Sequence, residues 1–302
     1  MKRRHFLTLG SLSSLGIILR GRAVVGQKQP PSSKPAAKMP ATIPATPASG
    51  LLLRFIATAD AGSSDQNQAA VGQAMSRYHR DRPFKLALLA GDNIYNYGEI
   101  EKIPTAFEQP YADLIKSGVE FRACLGNHDI ITQNGDLQVQ YPGFNMAGRY
   151  YTYRKDAVQF FVLDTNVNAD WKTQRIWLET ALRQSDAPWK IVYGHHPAYS
   201  SGLYGTDRER IAQLAPLFKK YRVQLYINGH EHHYERTQPI NGTTYLITGH
   251  GGAGLRPVGK SDWTAFADSR HGFSALEVYG DRLEIQGIGT DAQPFDRGII
   301  TL

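Results

Sequence analysis

Five apolar runs in this chain each pass, within a few residues, into a short block of metal-binding side chains. The blocks are Asp60-Ala61-Gly62, Gly91-Asp92-Asn93-Ile94-Tyr95, Gly126-Asn127-His128-Asp129, Gly194-His195-His196-Pro197 and Gly229-His230-Glu231-His232. In an open α/β sheet a ligand site forms beyond the carboxyl ends of the strands. A chain that puts all five blocks there must fold so that those strand ends meet. One block alone says little, but the ordered set points to two metal ions. Such a pair needs a carboxylate that reaches both, and Asp92 suits that place.

The apolar runs Leu51 to Ala57, Phe84 to Ala90 and Val119 to Leu125 alternate with helix-compatible spacing over Asp65 to Arg80 and Pro104 to Lys116. Val71, Met75 and Tyr78 fall on one face of the first helix. This predicts a βαβαβ start and a largely parallel sheet. Next come a hairpin turning at Lys155-Asp156, a helix over Trp171 to Arg183, a strand over Trp189 to Tyr193, a helix over Arg208 to Lys220 and a strand over Val223 to Ile227. Further strands are expected over Thr243 to Thr248, Phe273 to Tyr279 and Leu283 to Ile288. A four-layer αββα sandwich of two mixed sheets with flanking helices accommodates this α/β order, with residues 51–302 as one catalytic domain.

Charge separates the leader from the rest. The first fifty residues hold eight of the 34 Lys and Arg and no acid, which leaves 26 basic residues against 27 Asp and Glu. The net +7 therefore belongs to the leader and carries no nucleic-acid footprint on the folded part. Lys2-Arg3-Arg4-His5-Phe6-Leu7 and the apolar stretch to Leu19 are too short to span a bilayer and fit an export signal over residues 1–26. The paired arginines resemble a twin-arginine signal, implying the twin-arginine machinery, a periplasmic or extracellular bacterial location and no stable membrane span after signal removal. Six prolines within residues 27–50 mark a semi-extended linker. Cys124, the single cysteine, lies in an apolar run and reads as a small buried hydrophobe.

The ordered blocks resemble the calcineurin-like metallophosphoesterase superfamily from about Leu52 to about Gly252. Most of that superfamily has Asp-x-His in the first block, where this chain has Gly62. The Gly-Asp-x-x-Tyr form of the second block is similar to the purple acid phosphatases, as are Phe161-Val162-Leu163-Asp164-Thr165 and the Gly-His-x-Pro form of the fourth block. The length resembles the small, mammalian tartrate-resistant type. A phenolate is a hard anionic donor suited to Fe(3+). The resemblance implies Fe(3+) on Asp60, Asp92, Tyr95 and His232, and a divalent ion (Fe, Zn or Mn) on Asp92, Asn127, His195 and His230. It further implies His128 as acid to the leaving group and hydrolysis of small phosphate esters by metal-hydroxide attack.

Other residues keep two readings. Asp60 is either a ligand or a helix cap, and His196 either contacts phosphate or supports a ligand from behind. Small mammalian-type enzymes carry a histidine nine residues beyond the fourth-block ligand, where this chain has Tyr204, a further candidate substrate contact. His250 reads as part of a structural turn, Asp164 as a loop organiser, and His233, His79 and His271 as unassigned. Two rivals to the phosphomonoesterase stand beside it: a phosphodiesterase or nucleotide hydrolase with the same site, and a phosphate- or metal-binding protein without turnover.

Overall fold

Leu86–Ala90 is buried at every position, the mark of a strand covered on both faces. A computed structural model describes residues 50–302; the expected export signal and all but the last residue of the expected linker lie outside the described residues. In chain order the elements are β1 (Leu53–Thr58), α1 (Gln66–Asp81), β2 (Leu86–Ala90), α2 (Ala112–Lys116), β3 (Glu120–Cys124), α3 (Asp136–Gln140), β4 (Tyr151–Lys155) and β5 (Val158–Val162). There follow α4 (Trp171–Gln184), β6 (Trp189–Tyr193), α5 (Arg208–Tyr221), β7 (Leu225–Asn228), β8 (Tyr234–Thr237) and β9 (Thr244–Thr248). The chain closes with β10 (Thr264–Asp268), β11 (Gly272–Val278), β12 (Arg282–Gly289) and β13 (Pro294–Thr301).

One sheet runs β13-β12-β11-β1-β2-β3 and the other β10-β8-β9-β7-β6-β5-β4. Strands β1 to β3 are parallel, while β11, β12 and β13 add in antiparallel sense. In the second sheet β5, β6, β7 and β9 are parallel, flanked by antiparallel β4, β8 and β10. Both sheets are thus mixed, and the largely parallel reading holds only for β1 to β3 in one and for β5, β6, β7 and β9 in the other.

Alternation along each strand divides the apolar residues between layers. Phe55 and Ala57 of β1 face the second sheet and pack with Phe160, Trp189, Leu225 and Leu276. Ile56 faces outward against Val71, Ala74 and Met75 of α1. On the far side, Leu178 of α4 and Leu214 and Phe218 of α5 cover Phe161, Val192 and Tyr226. This is the four-layer αββα arrangement.

The strands end level: Thr58 lies beside Leu89, Ala90 beside Cys124, and Tyr193 beside Ile227. At this end the sheets are tied together by Ala59 N–H donating to the Thr248 carbonyl at 3.0 Å. The helix expected over Pro104 to Lys116 is instead a π-helical turn, Pro104–Glu108, followed by the short α2. Pro110 lacks the N–H that would continue the ladder. Cys124 is fully buried between the sheets, and burial with nearby carboxylates pushes its thiol well above the ordinary range.

Candidate metal centre

Asp60, Asp92 and His230 each follow their strand in a left-handed turn, with φ of 53°, 53° and 67°. Such conformations cost non-glycine residues on the order of 1–3 kcal/mol and persist only where the surroundings impose them. Here Asp60 N–H donates to the Gly91 carbonyl at 3.0 Å, and His230 N–H donates to the Asp60 carboxylate at 2.9 Å. Asp60 therefore does not cap a helix. Asp65 does, accepting from the N–H groups of Asn67 and Gln68.

Gly62 is enclosed by the second block. Its N–H donates to the Asp92 carbonyl, its carbonyl accepts from Tyr95 N–H, and any Cβ there would collide with the Asn93 carbonyl. No histidine fits at 62 on this backbone, and the phenol of Tyr95 stands among the donors instead.

The Tyr95 hydroxyl lies 3.1 Å from Asp60 Oδ1, 2.9 Å from Asp92 Oδ2 and 3.2 Å from His232 Nε2. A second group shares the same Asp92 oxygen. His195 Nε2 is 3.4 Å from Asp92 Oδ2 and 3.1 Å from Asn127 Oδ1, which is 2.8 Å from His230 Nδ1. Ligands bound at about 2.1 Å around one cation sit about 3 Å from one another. The spacing fits two adjoining ligand sets with Asp92 common to both.

Two of the histidines have their lone pairs preset. His195 Nδ1 donates to the Ala90 carbonyl at 2.9 Å and His232 Nδ1 to the Gly254 carbonyl at 2.8 Å. A carbonyl only accepts, so each ring turns its Nε2 toward the donor cluster, the usual preparation of a metal-binding histidine. Burial works against the charged form of His195, but Asp92 and Asp60 outweigh it and pull the ring up to about 9. Burial, Asp60 and Asp92 together hold the Tyr95 phenol well above its ordinary value. Buried carboxylates need positive charge beside them, and three anionic donors in one set suit a trivalent ion.

His128 donates its main-chain N–H to Asp92 Oδ1 at 2.9 Å, and its Nδ1 bonds the Asn96 carbonyl at 2.6 Å. Its Nε2 lies 4.0 Å from Asp92 Oδ2, beside the ligand cluster rather than in it.

One hydroxyl orients His196. Thr165 Oγ1 accepts from the N–H groups of His195 and His196, at 3.1 and 3.0 Å, which uses both lone pairs. Its proton must go to His196 Nδ1, 2.8 Å away. The ring is therefore neutral with its proton on Nε2, and burial beside His195 and His230 disfavours any further charge. Its ring also lies with His195 and His230 in a group whose nitrogens could hold a metal ion.

Tyr204 stacks on the His230 ring, with centroids 4.6 Å apart and planes 20° from parallel, and Arg256 covers its other environment at 5.0 Å. Asp164 accepts from Arg149 and Asn166 and orders loops. His250 is buried and bonds the Arg270 carbonyl. His79 packs on Phe84, and buried His233 lies 3.6 Å from Glu235.

Two buried carboxylates inside the blocks have a role that the sequence does not signal. Asp129 accepts from the N–H groups of Asn93, Ile94 and Gly126 and from the Asn93 amide, lacing the second block to the third. Glu231, between the donors His230 and His232, accepts from Ser200, Leu203 and Tyr204 and so fixes the loop that places Tyr204.

A family model for calcineurin-like phosphoesterases matches residues 53–234, a span that contains every residue of both donor sets. The chain belongs to the calcineurin-like phosphoesterase family. Its relatives include purple acid phosphatase 4 of Arabidopsis thaliana, 28% identical over 260 residues that cover 72% of this chain and 74% of that protein. Tartrate-resistant acid phosphatase type 5 of Mus musculus is 26% identical over 237 residues, 66% of this chain and 72% of that one. The fold of this family member superposes on a purple acid phosphatase from yellow lupin seeds with a TM-score of 0.69 at 22% identity, over 82% of this chain and 53% of that one.

Proposed function

We propose that the chain is an exported dinuclear-metal phosphomonoesterase of the purple acid phosphatase type. Fe(3+) is assigned to Asp60, Asp92, Tyr95 and His232, and a divalent ion (Fe, Zn or Mn) to Asp92, Asn127, His195 and His230. The observation that carries this reading is the sharing of Asp92 Oδ2 between two sets of donors, one of which contains a phenol.

When bound, the two cations polarise the phosphoryl group and make water a competent nucleophile near neutral pH. The chain's own residues do the rest. Hydrolysis breaks the P–O bond to the leaving oxygen and forms one to the oxygen of water. His128, held through Nδ1 on the Asn96 carbonyl, presents Nε2 as the proton donor to the leaving oxygen. His196 Nε2–H, fixed by Thr165, is a donor for a phosphoryl oxygen. Tyr204 shields the outer face of His230.

Tyr95→Phe tests the subclass. Phenylalanine keeps the ring but removes the anionic oxygen, so the purified variant is expected to lose the visible absorption of an iron phenolate together with its ferric ion. Unchanged colour and iron content would end the assignment.

Export rests on the leader, whose paired arginines precede Phe6-Leu7. With Arg3 and Arg4 both replaced by Lys, the protein is expected to stay in the cytoplasmic fraction of a host that has the twin-arginine pathway. Normal export of that variant would refute the route.

A further inference from the structure

Beside the donor cluster a cavity of about 540 Å³ opens, with Tyr95, His128 and His232 along one wall. His128 is the group assigned to protonate the leaving oxygen, so this is where the leaving group lies. The remaining wall has a definite chemistry. It carries Arg256, Lys102 and the hydroxyls of Ser63, Ser64 and Thr105, with Ala253 as its aliphatic side chain and no carboxylate.

The two cations differ in how far they are already satisfied. Lys102 pairs with Glu99 at 2.9 Å and donates to the Tyr95 carbonyl at 3.2 Å. Arg256 has no carboxylate within ion-pair distance among the described residues. Its backbone N–H donates to the His232 carbonyl and its Nη1 to the His230 carbonyl, both at 2.9 Å, and its guanidinium lies over the Tyr204 ring. The head group is thus positioned on the two ligand-bearing residues of the fifth block with donors left over. A half-buried arginine held rigid and without a counter-ion, at the lip of a polar cavity, is built to receive an anion.

We infer that Arg256, assisted by Lys102, forms a second anion subsite, and that the substrate is a phosphomonoester whose leaving group carries its own negative charge. This rests on the phosphomonoesterase reading of the site. The phosphoryl group sits at the donor cluster, its leaving oxygen at His128, and the second anion at Arg256. Apolar alcohols find no matching wall, and neutral ones leave the Arg256 guanidinium without a counter-ion.

Glycerol 3-phosphate and 3-phosphoglycerate have leaving groups of nearly the same size, one neutral and one a carboxylate. The metal-loaded protein is expected to favour 3-phosphoglycerate by about tenfold in kcat/KM, through KM, as befits one charge-assisted hydrogen-bonded contact. In Arg256→Gln the ratio of the two kcat/KM values falls to near one, and Arg256→Lys recovers part of it. Titration of methylphosphonate and phosphonoacetate into the same proteins reads binding without turnover. Arg256→Gln is expected to weaken phosphonoacetate about tenfold more than methylphosphonate.

No preference in the parent protein, or an equal loss on both members of each pair, overturns the subsite. Absence of turnover with a retained preference for phosphonoacetate overturns the enzymatic reading and leaves the subsite standing. Metal content equal to the parent's shows that the variants keep their donor sets.

Discussion

Asp92→Asn is expected to lower turnover by more than about 10³-fold, beyond what removal of a single transition-state donor costs, and to bring metal content below one ion per chain. Asn is nearly isosteric with Asp and is among the residues that tolerate the left-handed turn found at 92. Its Oδ1 can still accept from His128 N–H, so the loop between the second and third blocks keeps its anchor. What changes is the other atom. Asp92 Oδ2 is 2.9 Å from the Tyr95 hydroxyl and 3.4 Å from His195 Nε2, and an amide nitrogen there is neutral and has no lone pair to offer a cation. Both donor sets lose their shared member at once. The rise in thermal stability that added metal gives the parent should vanish as well, since ligand binding to the folded state is the source of that rise. A variant with two metals per chain and parental turnover would sink the bridging assignment.

The strand ends were legible because central strands buried on both faces leave unbroken apolar runs, so the polar block after each run stands out. Leu86–Ala90 followed by Gly91-Asp92 shows this most plainly. Strands that carry charged residues lack that contrast. Tyr234–Thr237, paired on both sides, includes Glu235 and Arg236, and Glu235 is buried because Ser201 and Thr264 supply its hydrogen bonds from far along the chain. The same limit hides Asp129 and Glu231. A carboxylate beside a ligand looks like another ligand in sequence, and only the N–H groups that fold around it show that it braces a loop. Gly62 and Tyr95 could be linked as one exchange from sequence, but the collision that bars any side chain at 62 is a fact of packing. Arg256 gave no signal at all, since one arginine in a Gly-rich loop is ordinary until its neighbours and the cavity are known.

His128→Ala is expected to lower kcat by about 10² to 10⁴-fold on alkyl phosphates, the range that positioned proton transfer contributes, while metal content stays at the parental value. The His128 ring makes no hydrogen bond to either donor set. Its Nε2 is 4.0 Å from Asp92 Oδ2, and its structural link to that residue runs through the main-chain N–H that alanine retains. The size of the loss should depend on the leaving group. An alkoxide departs poorly without a proton, whereas p-nitrophenolate departs well unaided, so the p-nitrophenyl ester should lose far less than a glycerol ester. The ring also lies 4.4 Å from the Tyr95 ring, and its removal lets water reach that face. A shifted but persistent visible band would report this change while showing the iron still in place. Equal losses on the two esters would mean that His128 acts by positioning phosphate rather than by giving up a proton. In that event the acid must come from elsewhere, and the remaining histidine at the cluster, His196, has its only proton on Nε2 and little capacity to take another. The dependence on leaving group therefore decides whether this chain supplies a proton at all.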